Sequence, residues 1–212
     1  MKIRELLRAR LQELEERHWD LSAIEARFKR LVDEGLPREA VNRDELITHK
    51  EEILDRIQRR GEEYCYVTRN CARGSATALF ETFGLGNMEM IKALAPFPGL
   101  AMTGGTCGPV TGGLMAIGLH FSNTDMTNFE DRSHYVAAHK FLDRFEEAFG
   151  SLVCPGIQEF ILGKYMDPMA SPENREAFDK AHAREKCPLA PGMGARIAAQ
   201  VIIEDMQAKG LA

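Results

Sequence analysis

Five cysteines offer this 212-residue chain its richest chemistry: Cys65, Cys71, Cys107, Cys154 and Cys187. Their spacings are wide, with 36 residues from Cys71 to Cys107, 47 on to Cys154 and 33 on to Cys187. No Cys-x-x-Cys pair occurs, which excludes the thioredoxin motif, the common zinc knuckle and c-type haem attachment. An odd number of thiols also cannot pair completely within one chain. Cys107 follows Gly104 and Gly105 and precedes a helical stretch, where the partial positive charge of a helix N-terminus favours a thiolate. Cys154 and Cys187 directly precede Pro155 and Pro188, which puts both near a turn or a helix start. Backbone N–H groups at helix ends can meet a thiolate, and such donors tune iron–sulfur sites. The plainer reading is a set of buried free thiols, but three cysteines at helix ends exceed what packing requires.

The other candidates gather around Cys71. If one helix runs through this region, Cys65 stands about 240° around it from Cys71, so Cys65 is expected to pack in the core outside any shared site. Arg69 and Arg73 flank Cys71 two residues to either side. They suit an anionic substrate or the tuning of a metal centre, and equally a solvated helix face. Tyr64, seven residues before Cys71 and on the same helical face, is the phenol best placed for proton transfer. Gly104, Gly105, Gly108, Gly112 and Gly113 lack the Gly-Lys-Ser/Thr ending of a P-loop, and no strand precedes them. They are read as places of close helix–helix or backbone–cofactor approach. His120 ends an apolar helix, where a cation is favoured; His134 and His139 qualify as metal ligands by residue type alone. Met88, Met90, Met102 and Met115 are expected to fill core.

Asn70-Cys71-Ala72, the run Cys107-Gly108-Pro109-Val110-Thr111-Gly112-Gly113-Leu114-Met115-Ala116, Cys154 and Cys187 together resemble the C-GCAxxG-C-C family, redox-active proteins defined by four cysteines and a CGAxxG motif. The resemblance spans about residues 61 to 205; Cys65 and the first 60 residues lie outside it. Pro109 stands where the motif has alanine, and proline suits the first turn of a helix. The resemblance implies redox work for Cys71, Cys107, Cys154 and Cys187 without naming a substrate. Four thiolates could hold a [2Fe–2S] or [4Fe–4S] cluster, or a tetrahedral zinc. They could instead act as two dithiol pairs exchanging with disulfides. Zinc does no electron chemistry, and dithiol enzymes more often keep one pair close in sequence. The expectation is therefore that the four cysteines ligate an iron–sulfur cluster and pass electrons to or from a redox partner protein or small-molecule substrate. A thiol–disulfide oxidoreductase with Cys107 as nucleophile is the alternative, and a non-catalytic helical subunit with structural thiols is the third reading.

Helices must position these thiols, because no segment shows sustained period-two alternation. Ile3, Leu6, Leu7, Leu11 and Leu14 form one apolar stripe over residues 2–19. A second helix covers residues 21–34. A third, over 43–60 with Leu46, Ile47, Leu54 and Ile57, is expected to run on without a break to Phe83. Shorter helices follow at 88–94 and 109–120, then one at 134–149 with Phe141, Phe145 and Phe149 aligned. Others start after Pro155 and at Ser171-Pro172, and the last covers 195–207. The fold class is all-α: a compact cysteine-containing helical domain over 61–212 with a charged helical extension over 1–60. That extension holds 14 basic and 14 acidic side chains and no cysteine. It is expected to serve as an interaction surface, with a homodimer as the leading partner. With 44% hydrophobic and 28% charged residues the chain reads as globular. A net charge of −5 leaves no broad basic footprint for nucleic acid. The longest strongly apolar stretch, residues 112–121, is too short for a transmembrane segment, and Met1 to Arg10 has no apolar leader region. A cytoplasmic location is expected, where cysteines stay reduced.

Overall fold

The computed structural model describes residues 2–39 and 42–209, without the side chains of Lys2, Arg43 and Ile47, so the expected place of Ile47 in its stripe lies outside the described residues. Among them the fold is all-α without a strand. In chain order it comprises α1 (Lys2–Glu16), α2 (Leu21–Glu34), α3 (Arg43–Thr48), α4 (Lys50–Thr68), α5 (Cys71–Phe83), α6 (Met88–Ala93), α7 (Gly99–Met102), α8 (Gly108–Phe121), α9 (Ser133–Phe149), α10 (Cys154–Leu162), α11 (Pro172–Lys180), α12 (Ala183–Lys186) and α13 (Leu189–Ala208). Local chemistry accounts for most boundaries. Side chains of Asp20, Asn42, Asn70, Asn87 and Ser171 accept the exposed N–H groups that start α2, α3, α5, α6 and α11. Gly84, Gly150 and Gly163 end α5, α9 and α10 in the left-handed conformation. None of the described helices is long and apolar enough to cross a membrane.

Two boundaries differ from the sequence reading. The helix expected to continue to Phe83 breaks at Arg69, whose φ of 52° is left-handed, and restarts at Cys71. The Asn70 side chain fixes this break. Its oxygen accepts the Arg73 N–H at 3.0 Å, and its Nδ2 donates to the carbonyls of Leu94 and Ala95. At the other end, α13 begins at Leu189 rather than near Ala195. Pro191 falls within the first turn, where a proline costs no helical hydrogen bond.

The core lies where α4, α5, α8 and α13 pack together, with α9 laid across α8. Phe141 and Phe145 of α9 are fully buried there, as their stripe predicts. Small residues bring backbones into contact at the crossings. A Cβ added to Gly112 of α8 would stand 2.6 Å from the Ala72 carbonyl oxygen of α5, so these helices meet backbone to backbone. The N-terminal helices pack onto the same core. Leu7 and Leu14 of their apolar stripe are fully buried by the chain itself, and the composition change near residue 60 falls inside α4.

Candidate functional site

Three of the thiols stand at the beginnings of helices, and a fourth at the junction of two. Thr106 and Val153 form an isolated antiparallel bridge. On either side of it, Cys107 N–H donates to the Leu152 carbonyl and Cys154 N–H donates to the Gly105 carbonyl, both at 2.9 Å. This pairing sets the starts of α8 and α10 side by side, with Cys107 capping α8 and Cys154 opening α10. Cys71 opens α5 directly after the Asn70 cap. Gly108 allows α8 to approach it: an added Cβ would overlap the Cys71 sulfur and lie 2.6 Å from the Ala72 nitrogen. Cys187 closes α12, two residues before α13 begins. Helix N-termini carry partial positive charge, which by itself favours a thiolate at Cys71, Cys107 and Cys154 over the same residue in mid-helix; Cys187, at the end of α12, has no such help from that helix.

All five cysteines line one cavity of about 300 Å³. Cys65, buried as expected of a packing residue, nevertheless borders the same cavity as Cys71, against the expectation that the two stand apart. That expectation rested on one continuous helix; the break at Arg69 folds α5 back along α4, and Gly74 lies close enough that an added Cβ would be 2.7 Å from the Cys65 Cβ.

The thiols differ electrostatically. Hydrogen bonds to Cys154 and Cys71, together with burial, push the Cys107 thiol well above its ordinary range. Cys154 moves the other way: the hydrogen bond from Cys107 outweighs burial, the Gln158 amide adds to it, and the group is lowered to about 7. Gln158 Nε2 lies 3.6 Å from the Cys154 sulfur, while its Oε1 accepts the Met166 N–H at 2.8 Å. Burial pushes both Cys65 and Cys187 up, with the neighbouring thiols reinforcing the shift. Cys154 is thus the most readily ionised of these four, and the sulfur of Cys107 holds its proton.

The secondary candidates separate. Arg69 lines the cavity. Arg73 does not; its guanidinium donates to the carbonyls of Ile91 and Lys92 at the end of α6. Tyr64 is fully buried away from the cavity and donates to Glu81 at 2.6 Å; burial and that carboxylate push its phenol up. Tyr66 and Tyr165 line the cavity in its place, and Met102 is the one of the four grouped methionines to reach it. His134 and His139 lie on α9, outside the lining, and His120 pairs with Asp205 at 3.0 Å. Gln158 was missed by the sequence reading, although its position one helical turn after Cys154 was a usable signal.

The donor set suits soft metal chemistry, being thiol throughout. Among the described residues no group of three or more His, Cys, Asp or Glu is set to hold a single metal ion. Glycines lie against two of the sulfurs: a Cβ on Gly99 would stand 3.5 Å from that of Cys154, and one on Gly108 would overlap that of Cys71. In donor chemistry these residues fit an iron–sulfur cluster. No curated protein and no solved structure matches the chain. Residues 69–201, which carry all four of the helix-end thiols, match the family described as "Putative redox-active protein (C_GCAxxG_C_C)", and the chain belongs to that family.

Proposed function

We propose that Cys71, Cys107, Cys154 and Cys187 are the ligands of an iron–sulfur cluster through which the protein passes electrons to or from a redox partner. The observation that carries this reading is the meeting in one cavity of four thiol donors, three from helix starts and Cys187 from the junction of α12 and α13. When bound, a cluster supplies one-electron transfer at a potential set by hydrogen bonds to sulfur and by exposure. The chain's own residues act on both settings. Gln158 directs an N–H at the Cys154 sulfur. Ile157 and Ile161, both buried, turn aliphatic surface to the cavity and keep water from it. Cys154, partly exposed, marks the side from which electrons would enter or leave.

The test is iron and labile sulfide per chain, with an absorption spectrum, on protein purified without oxygen. Iron and sulfide in matching amounts, lost together in Cys107→Ser and Cys154→Ser and kept in Cys65→Ser, are expected. A folded, metal-free protein that also resists reconstitution with iron and sulfide would sink the cluster reading.

One observation favours a second reading, a thiol–disulfide oxidoreductase. Cys154 opens a helix, is partly exposed and accepts hydrogen bonds from both Cys107 and Gln158, which makes it a better nucleophile than Cys107. Its thiolate would attack a substrate disulfide and expel one sulfur as thiolate. Cys107 would then lose its proton and attack the mixed disulfide, freeing the second substrate thiol and leaving a Cys107–Cys154 disulfide. Two electrons pass to the substrate. This reading requires metal-free protein in which mild reduction releases two thiols per chain, mapped to Cys107 and Cys154.

A further inference from the structure

The cavity extends well past the thiols, and three independent features of its wall remain unexplained by them. The first is α11. A surface helix ordinarily lays an apolar stripe on its own core, yet none of the residues of α11 is buried. Arg175, Phe178 and Asp179, spaced as one helical face, all turn to the cavity. The second is exposed apolar surface in a concave place: Met102 is 38% and Met169 63% exposed, and both line the cavity. The third is strain. Among the described residues, the non-glycine residues with left-handed φ are Arg69, Leu100, Ala101, Met102 and His182. Arg69 and Met102 line the cavity, and the other three are chain neighbours of the lining residues Gly99, Met102 and Ala183. Backbone strain of this kind collects at ligand clamps. The wall carries charge of both signs: Asp167 and Asp179 line it along with Arg69, Arg175 and Arg184, Asp167 accepting the Met169 N–H at 2.8 Å. Arg184 is paired with Asp179 at 3.0 Å. Arg175 bonds only the Pro168 carbonyl and the Met169 sulfur, and neither it nor Arg69 has a carboxylate within ion-pair distance among the described residues.

We propose that this cavity binds a small amphipathic anion, its apolar or aromatic body against Ile161, Phe178 and Met169 and its acidic group at Arg69 and Arg175. The volume is at the lower end of what small-molecule sites use, and an apolar wall with a few placed charges is their usual composition. The proposal rests on the thiols being the redox site, since they are what the bound molecule would react with. It names the class of substrate: a small organic anion rather than a protein surface.

The experiment titrates the full chain, purified without oxygen, with the fluorescent aromatic sulfonate 8-anilinonaphthalene-1-sulfonate and with its uncharged relative N-phenyl-1-naphthylamine. One saturable sulfonate site per chain is expected. Ile161→Trp, which fills the cavity, should weaken it at least about tenfold, the scale set by misfilled apolar pockets. Phe178→Ala, on a helix with no buried residue and so without risk to the fold, should weaken it several-fold. The double variant Arg69→Ala with Arg175→Ala should weaken the sulfonate, flatten its salt dependence and leave the uncharged probe unchanged. Sulfonate binding that ignores both Ile161→Trp and Phe178→Ala overturns the site; equal loss of both probes in the arginine variant overturns the anion. Iron, sulfide and thiol content are read on the same samples. Probe binding lost with those contents intact supports the cavity, and probe binding intact in a chain with neither cluster nor reactive dithiol supports the cavity while removing the redox reading.

Discussion

Two donors meet at the sulfur of Cys154, and they give that residue a pH dependence of its own. With the Cys107 hydrogen bond dominant, then opposed by burial and reinforced by Gln158, its lowered value of about 7 means that the thiolate predominates above that pH and is lost below it. In metal-free protein, alkylation by iodoacetamide should rise with pH through about 7 and level off above it, with Cys154 modified first. Cys65 and Cys187, pushed up by burial, should react late. Cys107→Ala removes the main donor, so the Cys154 midpoint should move up toward the ordinary thiol range. An unchanged midpoint in that variant, or Cys187 modified before Cys154, contradicts the hydrogen-bond assignment. These placements were partly legible from sequence, because Pro109, Pro155 and Pro188 mark helix starts close after Cys107, Cys154 and Cys187. Cys65 was not legible. Its place depends on a helix break made by Arg69 in a left-handed conformation, and no glycine or proline announces it. The same break is why Tyr66 lines the cavity and Tyr64 does not.

The crossing of α5 and α8 joins two of the thiols, since Cys71 opens one helix and Cys107 caps the other. Gly112 sets that distance: Ser75, Ala72 and Ala76 of α5 all crowd the place of its missing side chain. Gly112→Ala should destabilise the protein by about 1–3 kcal/mol, as overpacking does, and, if the thiols hold the proposed cluster, should lower iron content by pushing Cys107 away from Cys71. Gly118 lies on the same helix with nothing within 4 Å of an added Cβ. Gly118→Ala should therefore stabilise by about 0.5–1 kcal/mol through helix propensity alone. Urea midpoints moving in opposite directions for the two variants check this; movement in the same direction contradicts the close crossing. Period and capping residues made most helices readable. The start of α13 was not, because Pro188, Pro191, Gly192 and Gly194 look like breakers in sequence, whereas three-dimensional packing uses them as a helix start and a small-residue contact face.

At the scale of the whole molecule, the charged N-terminal helices brace the thiol cavity. Glu62 of α4 is fully buried and receives Arg10 at 2.7 and 3.0 Å and Arg17 at 2.9 Å. Glu15 of α1 reaches Lys186, the neighbour of Cys187, at 3.0 Å. Just after α1, Trp19 stacks on Tyr66, a cavity residue, with ring centroids 4.1 Å apart. Balanced charge in residues 1–60 could be read from composition, but its inward direction could not, since pairing with Glu62 and Lys186 is long-range. Removing one member of a buried ion group leaves the others uncompensated, so Glu62→Ala should cost about 3–5 kcal/mol, read as a drop in unfolding midpoint. The consequence for the site is separable from that cost. If α1 holds α12 in place, Cys187 in Glu62→Ala should alkylate faster than in the parent protein under conditions where both remain folded. Glu15→Ala, which removes only the Lys186 contact, should speed Cys187 modification with little loss of stability, because a part-exposed pair contributes on the order of 1 kcal/mol or less. Full protection of Cys187 in both variants would mean that α12 keeps its place without α1, and that the N-terminal helices stabilise the core but not the thiol site.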